Sequence, residues 1–533
     1  MKNIYKFAIV ISLLSVQHSY AQIHDNYDFL EINNMKIPLF ARGNLFRPGK
    51  IESHVAEMPT GTNINTLFQQ NLWIAGIDQN NELRLAAHTN ENTGLSAIDY
   101  AIGPVSSANY QEDFSKYNHV WKVSKAEIAS HIANYNSSDY SIHEDILNWP
   151  AHGDIEYGEA YHLAPFVDVN ANGIYEPELG DYPEIRGDQA LFAMFNDARY
   201  QHNASSGQKL YAEIHVMLYG YDSPGVDYLD NSFFVHYEIY NRSENLTFND
   251  IYVSQFLNFE LGYFNDDFIG THVTKNIAYV YNGDSFDNHT STHLGYGDKP
   301  PVFGWALLNQ DYASTRLISF DLSPKIGWPQ TQQARFNIMQ GLNNDGTALN
   351  YGYFGTMGNQ PTKFIYPGNS NPLFTEEWSE ITIGSIPSYR QMIASTVSHD
   401  FGPGDKICLD YAGVFSRDYT SNIQHQLNHL FADVDGVQNI YNYENFNCLN
   451  APLSINETNN NTKLTMFASN IELTINRQEG YNKDVDLTIV NAMGQSVMHE
   501  SMTPSETEKI IDINKLPTGV YFIPNYAFKF IKQ

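Results

Sequence analysis

Three oxygen-bearing side chains alternate along the stretch FVDVNANGIYEPELGDYP, residues 166–183. They are Asp168, Asn170 and Asn172, and a glycine follows them directly. A calcium loop needs oxygen ligands on alternate residues because its curled chain points every second side chain inward, and a glycine at position six permits the sharp turn. Counted from Asp168, position seven is Ile174, whose backbone carbonyl is a further ligand in such loops. The spacing predicts a calcium-binding loop.

The C-terminal half of this loop departs from the helix–loop–helix calcium motif. Position twelve, where that motif carries a glutamate, is Leu179, and Pro177 forbids a regular helix after the loop. The closing carboxylate must then come from Glu176, Glu178 or Asp181, and we favour Asp181 because the preceding glycine lets the chain turn back. The predicted metal ligands are Asp168, Asn170, Asn172, Ile174, Glu178 and Asp181.

The composition of this ligand set indicates what kind of calcium site it would be. Two asparagines in place of aspartates lower its negative charge, which suits the calcium concentrations outside cells and a constitutive, structural ion. The alternative is a turn without metal, because Asn and Asp side chains bond their own backbone and favour such loops.

A second group of carboxylates lies in NFELGYFNDDFIG, residues 258–270. Glu260, Asp266 and Asp267 are close enough in sequence to form a second cation site. The alternative is that they are solvated acids on a loop.

Three patterns resemble catalytic motifs but lack a required partner. HQLNHLFADVD (425–435) has two histidines four residues apart, yet Gln426 stands where zinc proteases carry a glutamate base. Ser285 in YNGDSFD (281–287) resembles the nucleophile of GDS-type esterases, which needs a histidine base from an Asp-x-x-His motif. No such motif follows it in the sequence. His152 and Asp154 are a candidate acid/base pair, although such polar neighbours are common after a proline turn. The sequence therefore identifies no catalytic residues, and an enzyme remains the less favoured class.

The N-terminus has the pattern of a secretory signal peptide. Two lysines precede an apolar run at 7–16, and Ser19 and Ala21 frame a cleavage site. Residues 1–21 are the predicted signal. No run reaches the ~20 apolar residues that a transmembrane helix needs, so we expect a secreted chain without a transmembrane segment.

The overall composition restricts the partners of the chain. Its 533 residues carry 30 Lys and Arg against 60 Asp and Glu, a formal net charge of −30. A field of that sign repels nucleic acid and anionic membranes and concentrates cations. Aromatic residues make up 14% and charged residues 17%, a balance that favours folded, β-rich structure over disorder.

The two cysteines, Cys408 and Cys448, are separated by a predicted helix. Cys408 lies in the apolar strand KICLDYAGVF (406–415), and Cys448 follows the helical pattern at 421–443. An exported chain meets an oxidising compartment, and a disulfide here would stabilise by roughly 4 kcal/mol on the chain-entropy model. We predict that bridge; the alternative is two buried free thiols.

Strands dominate the elements that must position these residues. SKAEIASHIANY (124–135) opens with a capping box of Ser124 and Glu127 and is one of few helices. Residues 231–243 and 249–257 alternate apolar and polar side chains and predict an antiparallel meander. The predicted fold class is mainly β: an antiparallel β-sandwich body with a few helices and a small C-terminal β-sandwich.

The composition also changes along the chain. The secreted body is predicted at 22–450, with a candidate subdomain break near 225–230. Residues 451–463 are polar and Asn-rich, which is typical of a linker. Residues 464–533 return to short strands and turns and form the predicted C-terminal domain.

Three stretches in the tail carry a family resemblance: IVNAMGQSV (489–497), INKLPTGVYFI (513–523) and KFIKQ (529–533). The tail at 463–533 resembles the C-terminal sorting domain of type IX secretion cargo in Bacteroidota. The resemblance implies recognition by the type IX machinery, export through the periplasm and outer membrane, and release or attachment at the cell surface. The sorting-signal residues that it indicates are Gly494, Pro517, Gly519, Tyr521 and Lys532.

The body carries a second resemblance over most of residues 60–445. It is similar to an uncharacterised family of exported proteins that has a DxNxNG calcium-type loop, and no settled activity comes with that family. The matching stretches are LWIAGIDQNNELRLAAHT (72–89), NWPAHGD (148–154), PFVDVNANGIYEPELGDYPEIRGDQALFAMFND (165–197), DDFIGTHVTKNIAYVYNGDSFD (266–287) and GYGDKPP (295–301).

These features together predict an exported, calcium-stabilised surface or extracellular protein. Its expected role is structural or adhesive, with binding to surface glycans or proteins. The alternative is a secreted polymer hydrolase with unidentified catalytic carboxylates. A cleft lined by paired acids would favour the hydrolase, and an aromatic patch would favour binding.

Overall fold

A computed structural model describes most of the body and parts of the tail. The predicted signal peptide, Cys448 and Gly494 lie outside the described residues. Those residues are 25–46, 56–87, 98–108, 110, 115–291, 293–318, 325–368, 377–419, 423–444, 446, 453–454, 464–468, 472–477, 484–491, 496–517, 519–523 and 528–532.

The described residues form thirty strands and five α-helices. The strands of the first half are β1 (Tyr27–Leu30), β2 (Ile37–Phe40), β3 (Leu67–Asp78), β4 (Leu83–Ala87), β5 (Ala101–Ile102), β6 (Trp121–Ser124), β7 (Phe166–Asp168), β8 (Tyr182–Pro183), β9 (Gln189–Asn196), β10 (Ala212–Gly220), β11 (Ser232–Asn241), β12 (Phe248–Phe259), β13 (Asp267–His272), β14 (Ile277–Asn282) and β15 (Phe286–Asp287). The later strands are β16 (Gly297–Asp298), β17 (Val302–Leu307), β18 (Ser314–Ile318), β19 (Leu349–Asn350), β20 (Pro361–Thr362), β21 (Arg390–Phe401), β22 (Lys406–Ser416), β23 (Leu453–Ser454), β24 (Leu464–Ala468), β25 (Glu472–Arg477), β26 (Val485–Asn491), β27 (Ser496–Met502), β28 (Glu508–Asp512), β29 (Gly519–Ile523) and β30 (Phe528–Lys532). The helices are α1 (Lys125–Asn134), α2 (Glu144–Leu147), α3 (Asp227–Asp230), α4 (Gln332–Met339) and α5 (Ile423–Glu444).

Two antiparallel sheets form the centre of the body. The nine-stranded large sheet runs in the order β13-β14-β17-β22-β11-β10-β9-β5, with β6 added beside β9. The five-stranded small sheet has the order β18-β21-β12-β3-β4. Nearly every residue of the central strands is buried on both faces, so further elements must cover the large sheet on the side away from the small sheet. The predicted mainly β, antiparallel architecture is confirmed.

Buried polar side chains cross the interface between the two sheets. The Tyr237 hydroxyl on β11 donates to Gln70 Oε1 on β3 at 3.4 Å, and the Gln70 amide donates to Gln255 on β12. An amide or hydroxyl group buried between apolar layers raises the free energy of the folded state unless it is hydrogen-bonded. These bonds therefore fix how the sheets of the sandwich face each other.

The other face of the large sheet is covered by α5 and by the chain between α1 and β8. Gly304 on β17 makes room for α5, because a Cβ there would lie 3.2 Å from Leu430 Cδ1. Trp149 packs on Phe192 of β9 with ring centroids 5.2 Å apart. A third layer, which we call the outer layer (residues 115–183), thus lies on the sandwich and carries the predicted calcium loop.

Both predicted helices occur close to their predicted limits. In α1, Ser124 Oγ accepts the Glu127 N–H at 3.2 Å, and Glu127 Oε2 accepts the Ser124 N–H at 2.7 Å, which is the predicted capping box. The pattern at 421–443 becomes α5.

The predicted meander of residues 231–243 and 249–257 is wrong. β11 lies in the large sheet and β12 in the small sheet. The reason is the corner between them, where Asn241 Oδ1 accepts the Ser243 N–H at 3.0 Å and its amide donates to Leu246 O at 2.9 Å. This side chain satisfies the turning backbone and lets the chain cross between sheets.

The candidate break near 225–230 falls between strands of one sheet. β10 and β11, on either side of it, are antiparallel neighbours. One buried apolar cluster includes residues from Leu30 to Tyr441.

The tail forms two small sheets, β24-β25-β28 and β27-β26-β29-β30. Its apolar cluster is separate from that of the body and includes Leu473, Ile489 and Ile523. At the start of the predicted linker, β23 pairs in parallel with β7, so that Ser454 lies opposite Asp168. Among the described helices, none combines the length and apolar character needed to cross a membrane.

Candidate functional site

The predicted calcium loop begins where β7 ends, at Asp168, and returns at Asp181 before β8. Two residues in the left-handed region curl it: Ala171 has φ 59° and Gly173 has φ 78°. Pro177 starts a 3₁₀ turn that ends at Leu179, because a proline tolerates the first turn of a helix but not its interior. The loop therefore has the tightly turned form that alternate oxygen ligands require.

Hydrogen bonds to the loop's own backbone hold its first half. Asp168 is buried, and its Oδ2 accepts the Gly173 N–H at 2.6 Å. Asn170 Oδ1 accepts the Asn172 N–H at 3.1 Å, and Asn172 Oδ1 accepts the Ile174 N–H at 2.8 Å. Such bonds occur in an Asx-rich turn and equally shape a calcium loop. Calcium binding here stays a prediction.

Two carboxylates close the loop in different ways. Asp181 is fully buried and ties the ends together, since its Oδ1 accepts the Val169 N–H and its Oδ2 the Glu176 N–H, each at 2.8 Å. Burial raises the pKa of Asp181, and the nearby charges of Asp168 and Glu176 act in the same direction. Glu176 Oε2 accepts the Asn172 amide at 2.5 Å.

The structure thus brings Asp168, Asn170, Asn172 and Glu176 together, with Asp181 beneath them. Glu178 is exposed on the 3₁₀ turn, and the Ile174 side chain is 48% exposed. Glu176 is one of the closing carboxylates that the sequence offers, but the predicted ligand set contains Glu178 and Asp181 instead. Counted from Asp168, Glu176 is residue nine of the loop, a position that supplies a ligand in calcium loops. This spacing is the sequence signal that could have indicated Glu176.

The loop is fastened to its neighbours in the outer layer. His131 on α1 bonds the Asp181 carbonyl at 3.0 Å, and burial lowers the pKa of this histidine. The Tyr175 N–H donates to His152 Nε2 at 3.0 Å, and its hydroxyl donates to the Ile146 carbonyl at 2.5 Å. The conformation of the loop is therefore linked to the positions of α1, α2 and His152.

Beside the loop, two adjoining clefts form what we call the outer groove. They have volumes of about 480 Å³ and 440 Å³, and His119 and Glu144 line both. Trp121 and Trp149 lie in the floor, with their indole N–H groups bonded to the Asn148 and Pro165 carbonyls at 2.8 and 2.9 Å. The remaining lining residues are mostly polar: Asn26, Ser115, Lys116, Asn118, Asn148, His152, Asp28, Lys122, Ser124, Glu127, His143, Asp145 and Gln189.

The acidic groups of the outer groove are mostly engaged in structural bonds. Asp145 bonds His119 at 2.7 Å and the Lys122 N–H at 2.9 Å. This bond to Asp145 raises the pKa of His119. Glu127 serves the capping box with one oxygen and lies 3.2 Å from His143 Nε2 with the other. These carboxylates build the walls of the groove.

An exposed tyrosine marks one end of the outer groove. Tyr161 is 41% exposed and stacks on His152 with ring centroids 4.3 Å apart and an interplanar angle of 20°. Ile155 and Tyr157 nearby in sequence, and Ile174 on the loop, are also exposed. The sequence did not identify these residues, because nothing in their spacing distinguishes exposed from buried side chains.

His152 and Asp154, the candidate acid/base pair, bond to different backbone groups and not to each other. His152 Nδ1 bonds the Tyr161 carbonyl at 3.2 Å, whereas Asp154 Oδ1 accepts the Glu156 N–H at 3.0 Å. Burial lowers the pKa of His152. The side chains serve the local turn instead of acting on each other.

A cluster that the sequence did not reveal lies on the paired strands β11 and β22. Single ligand atoms of His236, Glu238 and Cys408 fall within 4.8 Å of one another. Glu238 also accepts Lys406 Nζ at 2.8 Å. Burial acts to raise its pKa, but the bond to His236 and the charge of Lys406 overcome this and hold the pKa at about 2. The predicted partner of Cys408 lies outside the described residues, so the disulfide stays a prediction, and it would occupy the sulfur.

In the tail, the predicted sorting residues meet at one end of the four-stranded sheet. The Tyr521 hydroxyl donates to the Pro517 carbonyl at 2.7 Å, and Gly519 begins β29. Lys532 is buried, and its ammonium donates to the Asn514 carbonyl at 2.6 Å and to the Leu516 carbonyl. The last strand is thus pinned to the turn before β29.

Comparison with known proteins identifies the tail. A family model for the secretion system C-terminal sorting domain matches residues 468–525. No curated protein matches the chain. The chain therefore carries the sorting domain of an exported protein, which the type IX secretion machinery recognises and delivers to the cell surface or the extracellular space.

Proposed function

We propose that this protein is a calcium-stabilised adhesin whose body binds an extended glycan along the outer groove. The observation that carries the proposal is the groove, in which two clefts share His119 and Glu144 and end beside the exposed ring of Tyr161. Glycans present hydroxyl groups to polar walls and apolar ring faces to aromatic side chains. A polar groove with a tryptophan floor offers both.

Calcium has a supporting role in this proposal. The 168–181 loop fixes His152 through the Tyr175 N–H, and His152 both lines the groove and supports Tyr161. An ion that rigidifies the loop would preorganise this end of the groove and so reduce the entropy cost of binding.

Polymer hydrolysis is the second candidate function, and Glu144 favours it because this carboxylate lines both clefts. Glycoside hydrolysis needs two carboxylates that flank the scissile bond. Asp145, Glu127 and Asp28 are held by hydrogen bonds or ion pairs. Glu144 therefore has no evident second acid, and binding is the better-supported function.

A pull-down of the purified mature chain with insoluble polysaccharides tests the proposal. We expect retention by at least one polysaccharide and at least tenfold weaker retention of Tyr161→Ala. Tyr419→Ala is the matched control, because Tyr419 is 66% exposed but does not line the groove. Equal retention of both variants would refute the groove as the binding site.

The same experiment separates the candidate functions. Soluble sugar released by the wild type but not by Glu144→Gln would replace the adhesin with a hydrolase. Retention by surface proteins alone would replace the glycan with a protein partner.

A further inference from the structure

The acids that the sequence singled out at 260–267 lie in the interior of the body. Glu260, Asp266 and Asp267 are 7%, 9% and 0% exposed, so the alternative of solvated loop acids is wrong. They form no cation site either, because the one described group of three or more possible ligands with atoms within 4.8 Å of one another lies on β11 and β22. Carboxylates that face an open cleft lie instead in the outer groove.

The outer groove carries an excess of negative charge. Two lysines and four carboxylates line its clefts: Lys116, Lys122, Asp28, Glu127, Glu144 and Asp145. The whole chain has a formal net charge of −30, and a field of that sign lowers the local concentration of anions. A ligand that enters the groove therefore meets a negative potential.

Both lysines of the groove already have carboxylate neighbours. Lys122 Nζ lies 3.3 Å from Asp28 Oδ1 and 3.8 Å from Glu31 Oε2. Lys116 Nζ lies 4.0 Å from Glu159 Oε2. An anionic sugar would have to displace these partners before it could pair with either lysine.

The histidines of the groove offer no free positive charge. His119 Nε2 lies 2.7 Å from Asp145 Oδ1, and His143 Nε2 lies 3.2 Å from Glu127 Oε1, so a carboxylate offsets the charge of each ring when it is protonated. His152 bonds a backbone carbonyl through Nδ1 and accepts a backbone N–H on Nε2, which is the pattern of a neutral imidazole. Every described cationic side chain of the groove is thus paired or neutral.

Glu144 is in a different position from the other carboxylates of the groove. It is exposed and lines both clefts, and within the described residues its oxygens have neither a hydrogen bond nor an ion pair. An ionised carboxylate only accepts hydrogen bonds, and it binds hydroxyl groups strongly. Sugar hydroxyls supply such donors, whereas the carboxylate or sulfate of an acidic sugar is repelled.

We propose that the outer groove selects neutral glycans over glycans that carry carboxylate or sulfate groups, and that Glu144 determines this specificity. The inference rests on the proposed glycan binding and names its ligand class. Neutral polar side chains complete the wall that faces sugar hydroxyls: Asn26, Ser115, Asn118, Asn148 and Gln189.

Affinity electrophoresis of the mature chain, at one fixed calcium concentration, tests the selection. The gels contain pairs of polymers with the same backbone, one neutral and one charged: hydroxyethylcellulose and carboxymethylcellulose, dextran and dextran sulfate, and methyl-esterified and de-esterified pectin. At about 0.01 M salt we expect the neutral member of at least one pair to bind about tenfold more tightly than the charged one. The ratio should shrink at about 1 M salt, because the Debye length falls from about 30 Å to about 3 Å.

Glu144→Gln should lower this ratio by about threefold or more, because it keeps the shape of the side chain and removes its charge. Glu244→Gln is the matched control. Glu244 is exposed and does not line the groove, so its substitution removes the same charge from the chain and should leave the ratio unchanged.

The outcomes separate this inference from the proposed function. Equal or tighter binding of the charged polymers that is lost in Tyr161→Ala overturns the selection but keeps the groove as the glycan site. A ratio that Glu144→Gln and Glu244→Gln change equally overturns the role of Glu144. Retardation by no polymer, or retardation that Tyr161→Ala leaves intact, refutes the proposed function and the selection with it.

Discussion

The 168–181 loop and the buried acids at 260–287 are both rich in oxygen, yet they differ in how those oxygens are satisfied. In the loop, Asp168 and Asp181 each accept backbone N–H groups on both oxygens. In the buried cluster of Asp266, Asp267 and Asp287, the Oδ1 atoms of Asp266 and Asp267 have no hydrogen bond within the described residues. The backbone bonds of the loop hold its shape, whereas the packing around the cluster leaves two carboxylate oxygens unbonded within the described residues. Local sequence pattern is therefore a poor guide to which carboxylates are left unsatisfied.

The largest expected effect comes from crowding the buried cluster. Gly262→Ala places a Cβ 2.0 Å from Asp287 Oδ2 at a positive φ, and the carboxylate cannot move away because two N–H groups hold it. We expect the free energy of unfolding of the body to fall by roughly 3 kcal/mol or more. Calorimetry of the body transition measures this.

Gly173→Ala is the matched control in the loop. It has a similar positive φ, but its Cβ would meet nothing within 4 Å, so only the backbone cost of about 1 kcal/mol applies. Equal losses in the two variants would contradict the contrast between a packed site and an open one.

Asp168→Ala should remove the calcium-dependent stability that belongs to the loop. At a calcium concentration of 100 times Kd, one bound ion adds about 2.7 kcal/mol. We expect the difference in melting midpoint between calcium and chelator to be smaller in the variant than in the wild type. The same calcium-induced shift in both proteins would show that the loop binds no calcium.

The smallest expected effect on stability comes from the protonation of His119, which lines the outer groove. The bond to Asp145 raises the pKa of His119, so its contribution to stability is complete below the unfolded value near 6.5 and is lost as pH rises through the higher folded value. Because the His119 side chain is 42% exposed, solvent screening limits this to under about 1 kcal/mol.

NMR titration of the His119 ring measures this shift directly. We expect the pKa to fall towards 6.5 in Asp145→Asn, which keeps the shape of the side chain and removes its charge. An unchanged pKa of His119 would mean that Asp145 does not control the protonation of this histidine.

Local chemistry made several features predictable. The capping box of Ser124 and Glu127 fixes the start of α1, and the alternate oxygens with a glycine at position six predict the curl of the loop. The tail motifs predicted the sorting domain that the family match supports. Each of these depends on residues that are close in sequence.

Features assembled from distant segments were not predictable. The outer groove joins Asn26 to residues near 119 and 145, and the buried cluster joins three strand ends. The β11–β12 corner depends on Asn241, whose side chain bonds across the turn and also to the Phe401 carbonyl at 3.4 Å. No single-sequence pattern indicates such contacts, because their partners are set by the packing of the sheets.

The parallel pairing of β23 with β7 constrains any maturation of the chain. Leu453 and Ser454 lie opposite Val167 and Asp168, so β23 covers one edge of the strand that leads into the loop. A protease that separates the tail after Ser454 leaves β23 attached to the body. A cut before Leu453 would expose the edge of β7, and the released protein would differ from its precursor at the loop as well as at its terminus.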